Sequence, residues 1–269
     1  MSTCLAIIPA RYASERLPSK LVQDIGGKSL LCRVWEEASK STKISELVIA
    51  ADSTQIEENA RSFRATVVNT KSSHSSSIER VAEVVEQYKE KSKSFDMVVS
   101  IPGDLPFFNP ELVDGVIRTL EQCDSAFGAA TVAAPIHLED EFNRNTTVKV
   151  VLGSANQAVY FSYAPVPWIK HREDLKGAAE RIYGHRQFSI YAFRPDALLR
   201  AASQTPTVAE KRERLEGLRL VCGGIQTKVF VIPRTLAEPF IEVDTREDLE
   251  RAIAYARTKS STGRAIPSW

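Results

Sequence analysis

With 269 residues, 43% apolar and 26% charged, the chain can bury a large core and has the profile of a water-soluble globular protein. Thirty-five Lys and Arg against thirty-four Asp and Glu leave a net charge of +1. That balance excludes a global electrostatic pull toward nucleic acid or a membrane, so any anion site must be local. The four cysteines, Cys4, Cys32, Cys123 and Cys222, form no C-x-x-C pair, and no stretch has the length of a membrane span. Reduced thiols in a cytoplasmic protein are expected, without a disulfide framework or metal clip.

Short β-branched runs alternate with amphipathic stretches, the pattern of βα units around a largely parallel sheet. The first strand is expected over 4–9 (CLAIIP), an apolar run too short for a signal peptide and read as the start of the fold. It empties into the loop Arg11-Tyr12-Ala13-Ser14-Glu15-Arg16-Leu17-Pro18-Ser19-Lys20. Gly26-Gly27-Lys28 makes a turn, after which Leu31, Val34, Trp35 and Ala38 share one helix face at i, i+3, i+4 and i+7. Strands follow at 46–51 (ELVIAA) and 65–69 (ATVVN). Ile78, Val81, Val85 and Tyr88 mark a second helix, opened by the capping box Ser76-Ser77-Ile78-Glu79. Strand 96–101 (DMVVSI) precedes a third helix started by Pro110.

Beyond 126, strand candidates crowd together at 127–136, 147–152, 157–162, 187–193 and 228–232, with helices near 195–204 and 207–221. Such a mixed region suits a lobe that closes over a site prepared by the first half. A closing helix over 245–258 carries Leu249, Ala252, Ile253 and Ala256 on one face, and 259–269 reads as a loose tail. Internal repeats and low-complexity linkers are missing. One domain over 1–258 is therefore expected, with a first part of about 1–125 and a second lobe of about 126–235.

Ligands of an open parallel sheet sit where strands end and helices begin. There Arg11, Arg16 and Lys20 either converge on a polyphosphate or make a solvated loop that happens to be basic. The signatures G-x-x-x-x-G-K-[ST] and G-x-G-x-x-G do not follow the first strand, which excludes a Walker A loop and a Rossmann fingerprint. In VVSIPGDLP (98–106), a strand delivers Asp104 to the same edge after a glycine that lets backbone or ligand approach. Asp104 is either a Mg²⁺ ligand opposite the basic loop or a turn aspartate. In EVDTREDLE (242–250), Asp244 stands just before a helix with the capping box Thr245-x-x-Asp248, and is either a second carboxylate of the site or a helix-start residue. Two strand-end aspartates and one cationic loop together favour phosphoryl transfer, where positioning and charge neutralisation do most of the catalysis.

The stretch IPARYASERLPSK resembles the nucleotide-binding loop of acid-sugar cytidylyltransferases, above all the 3-deoxy-manno-octulosonate (Kdo) cytidylyltransferase family. The similarity continues in order over most of 4–256, through HSSSIERVAEVV (family H-x-S-G-T-E-R), PGDLP (Q-G-D-E-P), VKVVL, AVYFSYAPVPW, SIYAFR, RLEGLRL (L-E-Q-L-R) and VDTREDLE. The resemblance implies an α/β, Rossmann-like three-layer nucleotidyltransferase fold: a mostly parallel sheet flanked by helices, with a smaller mixed lobe. It also implies a homodimer that moves CMP from CTP to an anionic acid, releasing pyrophosphate after in-line attack on the α-phosphorus. Carried over by position, Arg11 and Lys20 hold the triphosphate with Arg16 in the same loop, and Pro9, Ala10, Ser76, Arg80 and Gly103 complete the nucleotide site. Asp104 and Asp244 bind Mg²⁺, and Arg11, Lys20 and Asp104 are the implied catalytic set.

Departures from the family concentrate elsewhere. S-G-T-E-R becomes Ser76-Ser77-Ile78-Glu79-Arg80, Q-G-D-E-P becomes Pro102-Gly103-Asp104-Leu105-Pro106, and F-S-R becomes Phe161-Ser162-Tyr163. H-x-G-I-Y becomes Gln187-Phe188-Ser189-Ile190-Tyr191, and L-E-Q-L-R becomes Leu215-Glu216-Gly217-Leu218-Arg219. Tyr163, Gln187, Ser189, Tyr191, Glu216 and Arg219 are thus the candidate acceptor contacts. Changing several hydroxyl partners together points to an acceptor with fewer or different hydroxyls, because a site built for hydroxyls discriminates strongly. Kdo or a related sugar acid is the expected acceptor, a small phosphonate acid such as phosphonoformate the alternative, and a non-catalytic nucleotide-binding homologue the second alternative. Lys149, Arg181, His185, Arg186 and Arg219 are candidate cations for a compact anion. His137 and His171 read as loop and surface residues, and His74 either touches CTP or serves as a capping or solvated residue.

Overall fold

The chain is described here by a computed structural model over residues 2–14, 16–171 and 181–262. Strand β1 (Cys4–Ala10) is buried on both faces, with Cys4, Ala6, Ile8 and Ala10 packed into one apolar layer and Leu5 and Ile7 into the other. A strand covered on both sides has no use for polar alternation, which explains its unbroken apolar run. The next elements are α1 (Leu30–Ala38), β2 (Glu46–Ala51), α2 (Thr54–Ser62), β3 (Val67–Asn69), α3 (Ser77–Glu90), β4 (Met97–Ser100) and α4 (Glu111–Gln122). The second lobe adds β5 (Phe127–Ile136), α5 (Glu139–Asn143), β6 (Lys149–Leu152), β7 (Ala158–Ser162), β8 (Gly184–Phe193), α6 (Pro195–Ser203), α7 (Val208–Glu213), α8 (Gly217–Cys222), β9 (Gln226–Val231) and α9 (Arg234–Ala237). Helix α10 (Arg246–Thr262) runs past the expected boundary at 258, and 263–269 of the expected tail lie outside the described residues, as does Glu15.

The sheet order is β3-β2-β1-β4-β8-β5-β9, with β6 joined to β8 and β7 to β6. Strands β1 to β4 are parallel, whereas β8 runs antiparallel to both β4 and β5, and β9 returns parallel to β5. Helices α1, α4 and α10 cover one face, and α3 and α6 cover the other. The expected α/β three-layer fold is therefore the observed one. Among the described residues, no helix is long and apolar enough to cross a membrane.

Some local expectations differ. The single helix expected over 207–221 is two, α7 and α8, because Arg214 adopts the left-handed conformation at φ 53° and ends the first. Helix α2 was not expected; it is capped by Ser53, whose hydroxyl accepts from the Ile56 N–H. From β1 the chain winds to β2 and β3 on one side and then crosses to β4 on the other. A crevice opens at such a reversal, beside the C-terminal ends of β1 and β4. Gly103 lines its floor: a Cβ there would lie 3.1 Å from the Pro9 carbonyl oxygen.

Candidate functional site

The loop after β1 turns back through Ser19, left-handed at φ 52°, into a 3-10 turn over Lys20–Val22 that sends Lys20 into the crevice. Opposite, the segment after β4 pairs with the segment before α10. Phe107 and Ile241 form an antiparallel bridge, and the Val243 N–H donates to the Asp104 carbonyl at 3.0 Å. That stitching brings Asp104 and Asp244 together. Lys20 Nζ lies between them, donating to Asp104 Oδ2 at 2.8 Å and to Asp244 Oδ1 at 3.0 Å, while Arg16 Nη2 stands 2.9 Å from Asp244 Oδ2. Burial alone would lower the Lys20 pKa, but the charges of Asp104 and Asp244 outweigh it and hold the ammonium above its ordinary value.

Asp104 Oδ1 is buried and accepts no hydrogen bond. A carboxylate oxygen withdrawn from water without a donor is costly unless a cation or ligand completes it. Among the described residues no group of three or more His, Cys, Asp or Glu is arranged for a metal. A cation here would rest on the two aspartates and on ligand oxygens, which matches the habit of Mg²⁺ in phosphate sites. Glu242, not anticipated as a site residue, adds negative charge. Burial first, then Asp104 and Asp244, push its carboxyl well above the usual range, with Arg186 and Lys20 opposing. Its spacing of two from Asp244 in an extended segment puts both on one side, a signal available in the sequence.

At the head of α3, the Ser76 hydroxyl accepts from the Glu79 N–H at 3.2 Å. The expected capping box is only half made, because the Glu79 carboxylate accepts from the Ser75 N–H at 2.9 Å and from Arg219 Nη1 at 3.1 Å. Burial would raise Glu79, yet these donors keep it below the usual carboxylate range. Arg80 is buried, donating to the Thr70 hydroxyl and the Lys71 carbonyl with Asp52 at 3.7 Å. Burial lowers its pKa, Asp52 and Glu83 oppose, and nearby Arg11 adds to the lowering. Arg11 is exposed, with its charge felt at Arg80. His74 meets Glu83.

The six candidate acceptor contacts divide. The Tyr163 phenol is raised first by burial and then by Glu242 and Asp244, which places its ring beside the acidic cluster. Ser189 and Tyr191 are half-buried on β8, and the Tyr191 hydroxyl fills the space beside Gly217. Gln187 is buried with its amide donating to the Thr131 hydroxyl and the Phe188 carbonyl, an internal role. Glu216 accepts from the Ser77 and Ile78 N–H groups, and Arg219 is 1% exposed between Glu210 and Glu79.

Among the candidate cations, Lys149 is fully buried and its ammonium donates to the carbonyls of Arg144, Thr147 and Tyr163 at 2.7–2.9 Å. Burial draws its pKa down to about 8, against the pull of Glu213. Lys149 and Arg219 are thus structural cations. Arg186 lies over the rings of Phe188 and Phe240 within reach of Glu141 and the charge of Glu242. The Arg181 carbonyl faces His137 Nδ1, and His185 is lowered by burial.

This architecture has relatives. The sequence profile of the cytidylyltransferase family matches residues 5–232. The 3-deoxy-manno-octulosonate cytidylyltransferase of Idiomarina loihiensis is 39% identical over 249 residues, covering 91% of this chain and 95% of its own. The enzyme of that name from Yersinia enterocolitica is 36% identical over 257 residues, covering 95% and 99%. Among solved structures, CMP:2-keto-3-deoxy-manno-octonic acid synthetase complexed with CTP superposes with a TM-score of 0.83 at 29% identity, over 96% of this chain and 100% of that one. Sequence and fold agree over nearly the whole length, and the chain belongs to the cytidylyltransferase family as a CTP-dependent nucleotidyltransferase.

Proposed function

We propose that this protein transfers CMP from CTP to the hydroxyl of an anionic acid, Kdo or a related sugar acid, and releases pyrophosphate. The observation that carries the proposal is the Lys20–Asp104–Asp244 cluster with its unpartnered Asp104 oxygen, at the crevice where an α/β sheet takes its ligand. Asp104 and Asp244 are the residues to hold Mg²⁺. When bound there, the ion supplies charge neutralisation at the α-phosphate and makes the acceptor hydroxyl more acidic. In the free protein Lys20 keeps the two carboxylates neutralised at close range, and with CTP present it is placed to turn to a phosphate oxygen. Arg16 and Arg11 add positive charge along the triphosphate, and Gly103 lets the ligand approach the backbone. The new bond joins the acceptor oxygen to the α-phosphorus as the bond to the β-phosphate oxygen breaks in line, and the acceptor's proton leaves to solvent.

The homodimer implied by the resemblance is part of the same proposal, and exposed Val159 and Trp168 on the second lobe supply apolar surface for it. A second reading, a small phosphonate acid as acceptor, is favoured by one observation: Gln187 and Glu216, expected to face sugar hydroxyls, bond within the protein. Arg186 on its aromatic shelf is then the cation for a compact anion. Pyrophosphate release with CTP and Mg²⁺ over Kdo, its 8-amino analogue, sialic acid and small phosphonates tests both. Turnover with the sugar acids supports the first reading. Turnover with phosphonates alone overturns it in favour of the second, and CTP binding without any turnover leaves a non-catalytic homologue.

A further inference from the structure

The first N–H groups of a helix have no partner within the helix. In α3 they belong to the nucleotide loop, and two of them are satisfied from the other lobe. The Ser77 and Ile78 N–H groups donate to Glu216 at 2.7 and 3.1 Å, and the Ser77 hydroxyl donates to the same carboxylate at 2.6 Å, across 139 residues of chain. Three residues after Glu216, Arg219 donates from Nη1 to Glu79 at 3.1 Å, while Nε and Nη2 grip Glu210 of α7 at 2.6–3.0 Å. Arg219 is thus fixed on its own lobe before it reaches the loop. Two prongs, Glu216 just before α8 and Arg219 within it, hold three consecutive residues of the loop.

Glu216, Arg219 and Glu79 keep the residues of the family pattern, and the departures stand beside the first prong. Ser77 stands where the pattern has glycine, and its hydroxyl is a donor that glycine lacks. Gly217 stands where the pattern has glutamine. A Cβ there would lie 2.5 Å from the Tyr191 hydroxyl and 3.0 Å from Phe161, so Tyr191 occupies the room a side chain would need. The hydroxyl gained at Ser77 is what adds a bond to Glu216, while the glycine beside Glu216 makes room for Tyr191.

We propose that Ser77 and Glu216 form a latch by which the acceptor lobe sets the geometry of the nucleotide loop, making Glu216 a positioning residue for CTP and not an acceptor contact. The proposal rests on the reading of Ser76–Arg80 as the nucleotide loop. Nucleotide affinity then depends on a second-lobe carboxylate that does not touch the nucleotide, and acceptor recognition is moved off position 216.

The test is calorimetric titration of CTP with Mg²⁺ into the full-length protein and its Ser77→Ala, Glu216→Gln, Glu216→Asp and Ser77→Ala/Glu216→Gln variants, with thermal melting of each unliganded protein. Wild type is titrated first. If it binds no CTP, the proposed function and the latch both fall. With wild-type binding in place, Glu216→Gln is expected to weaken CTP about tenfold and Ser77→Ala about threefold, since the first takes the charge from all three bonds and the second removes one of them. The double variant should lose no more than Glu216→Gln alone, Glu216→Asp should restore part of the affinity, and unliganded melting should stay close to wild type. Affinities within about twofold of wild type in every folded variant overturn the latch, as do fully additive losses. A rise in KM for Kdo without a change in CTP affinity overturns it too, by returning Glu216 to the acceptor. Should Glu216→Gln fail to fold, Ser77→Gly, which restores the family residue, carries the same prediction as Ser77→Ala.

Discussion

At the ends of β1 and β4, Lys20, Arg16, Asp104 and Asp244 meet in partly open contacts, with one carboxylate oxygen left over. In the second lobe, by contrast, Lys149 spends all three of its donors on carbonyls and Arg219 closes on Glu210 and Glu79. Both clusters are rich in charge, yet only the first leaves a buried carboxylate oxygen without a donor. A buried ion pair with every lone pair satisfied is structure, and removing one partner from it is costly. An incompletely satisfied cluster at a sheet edge is poised for a ligand. Residue type alone does not separate the two cases; partner counting does.

The contrast can be broken most forcefully at Asp104. Asp104→Asn removes the charge without making a cavity, so kcat should fall by about a thousandfold or more, roughly 4 kcal/mol of barrier, with the melting temperature little changed. Activity retained in that variant, measured by pyrophosphate release, would take Asp104 out of the reacting site. In the second lobe the opposite pattern is expected. Lys149→Met leaves the carbonyls of Arg144, Thr147 and Tyr163 without their donor, and should cost about 3 kcal/mol or more in urea unfolding. Unaltered stability would mean that Lys149 is held less tightly than its three contacts imply.

The smallest effect concerns His185. Burial lowers its pKa, so the unfolded chain binds the proton more readily than the folded one. Its contribution to stability is therefore full above the ordinary histidine pKa and declines as pH falls through it toward the lower folded value. Thermal midpoints recorded from about pH 7 to 5 should fall less steeply for His185→Gln than for wild type. Parallel slopes would show that the imidazole titrates alike in both states.

Much of the fold was legible because its strands are short, apolar and regularly spaced, and β1, β2 and β5 fall within a residue of expectation. Helix α2 escaped notice because it buries only Ile56 and Ala60, too few to mark a face. The break at Arg214 has no local signal, since arginine seldom adopts a left-handed conformation. At the site, Asp104 and Asp244 were each readable as acidic residues at the edge of the sheet. Their meeting depends on the Phe107–Ile241 bridge, which no local pattern encodes. Glu216 and Arg219 were visible as a motif, while their partners Ser77 and Glu79 lie in the opposite lobe, so only the folded chain separates a positioning role from a binding one.

The bridge between Phe107 and Ile241 also bears on synthesis. A nascent chain that has made its first four strands already possesses the basic loop and Asp104, but its second carboxylate is not yet translated. The Lys20–Asp104 pair can therefore form first, and the centre is completed only when the segment before α10 has left the ribosome and docked, bringing Asp244 to Lys20 and Arg16.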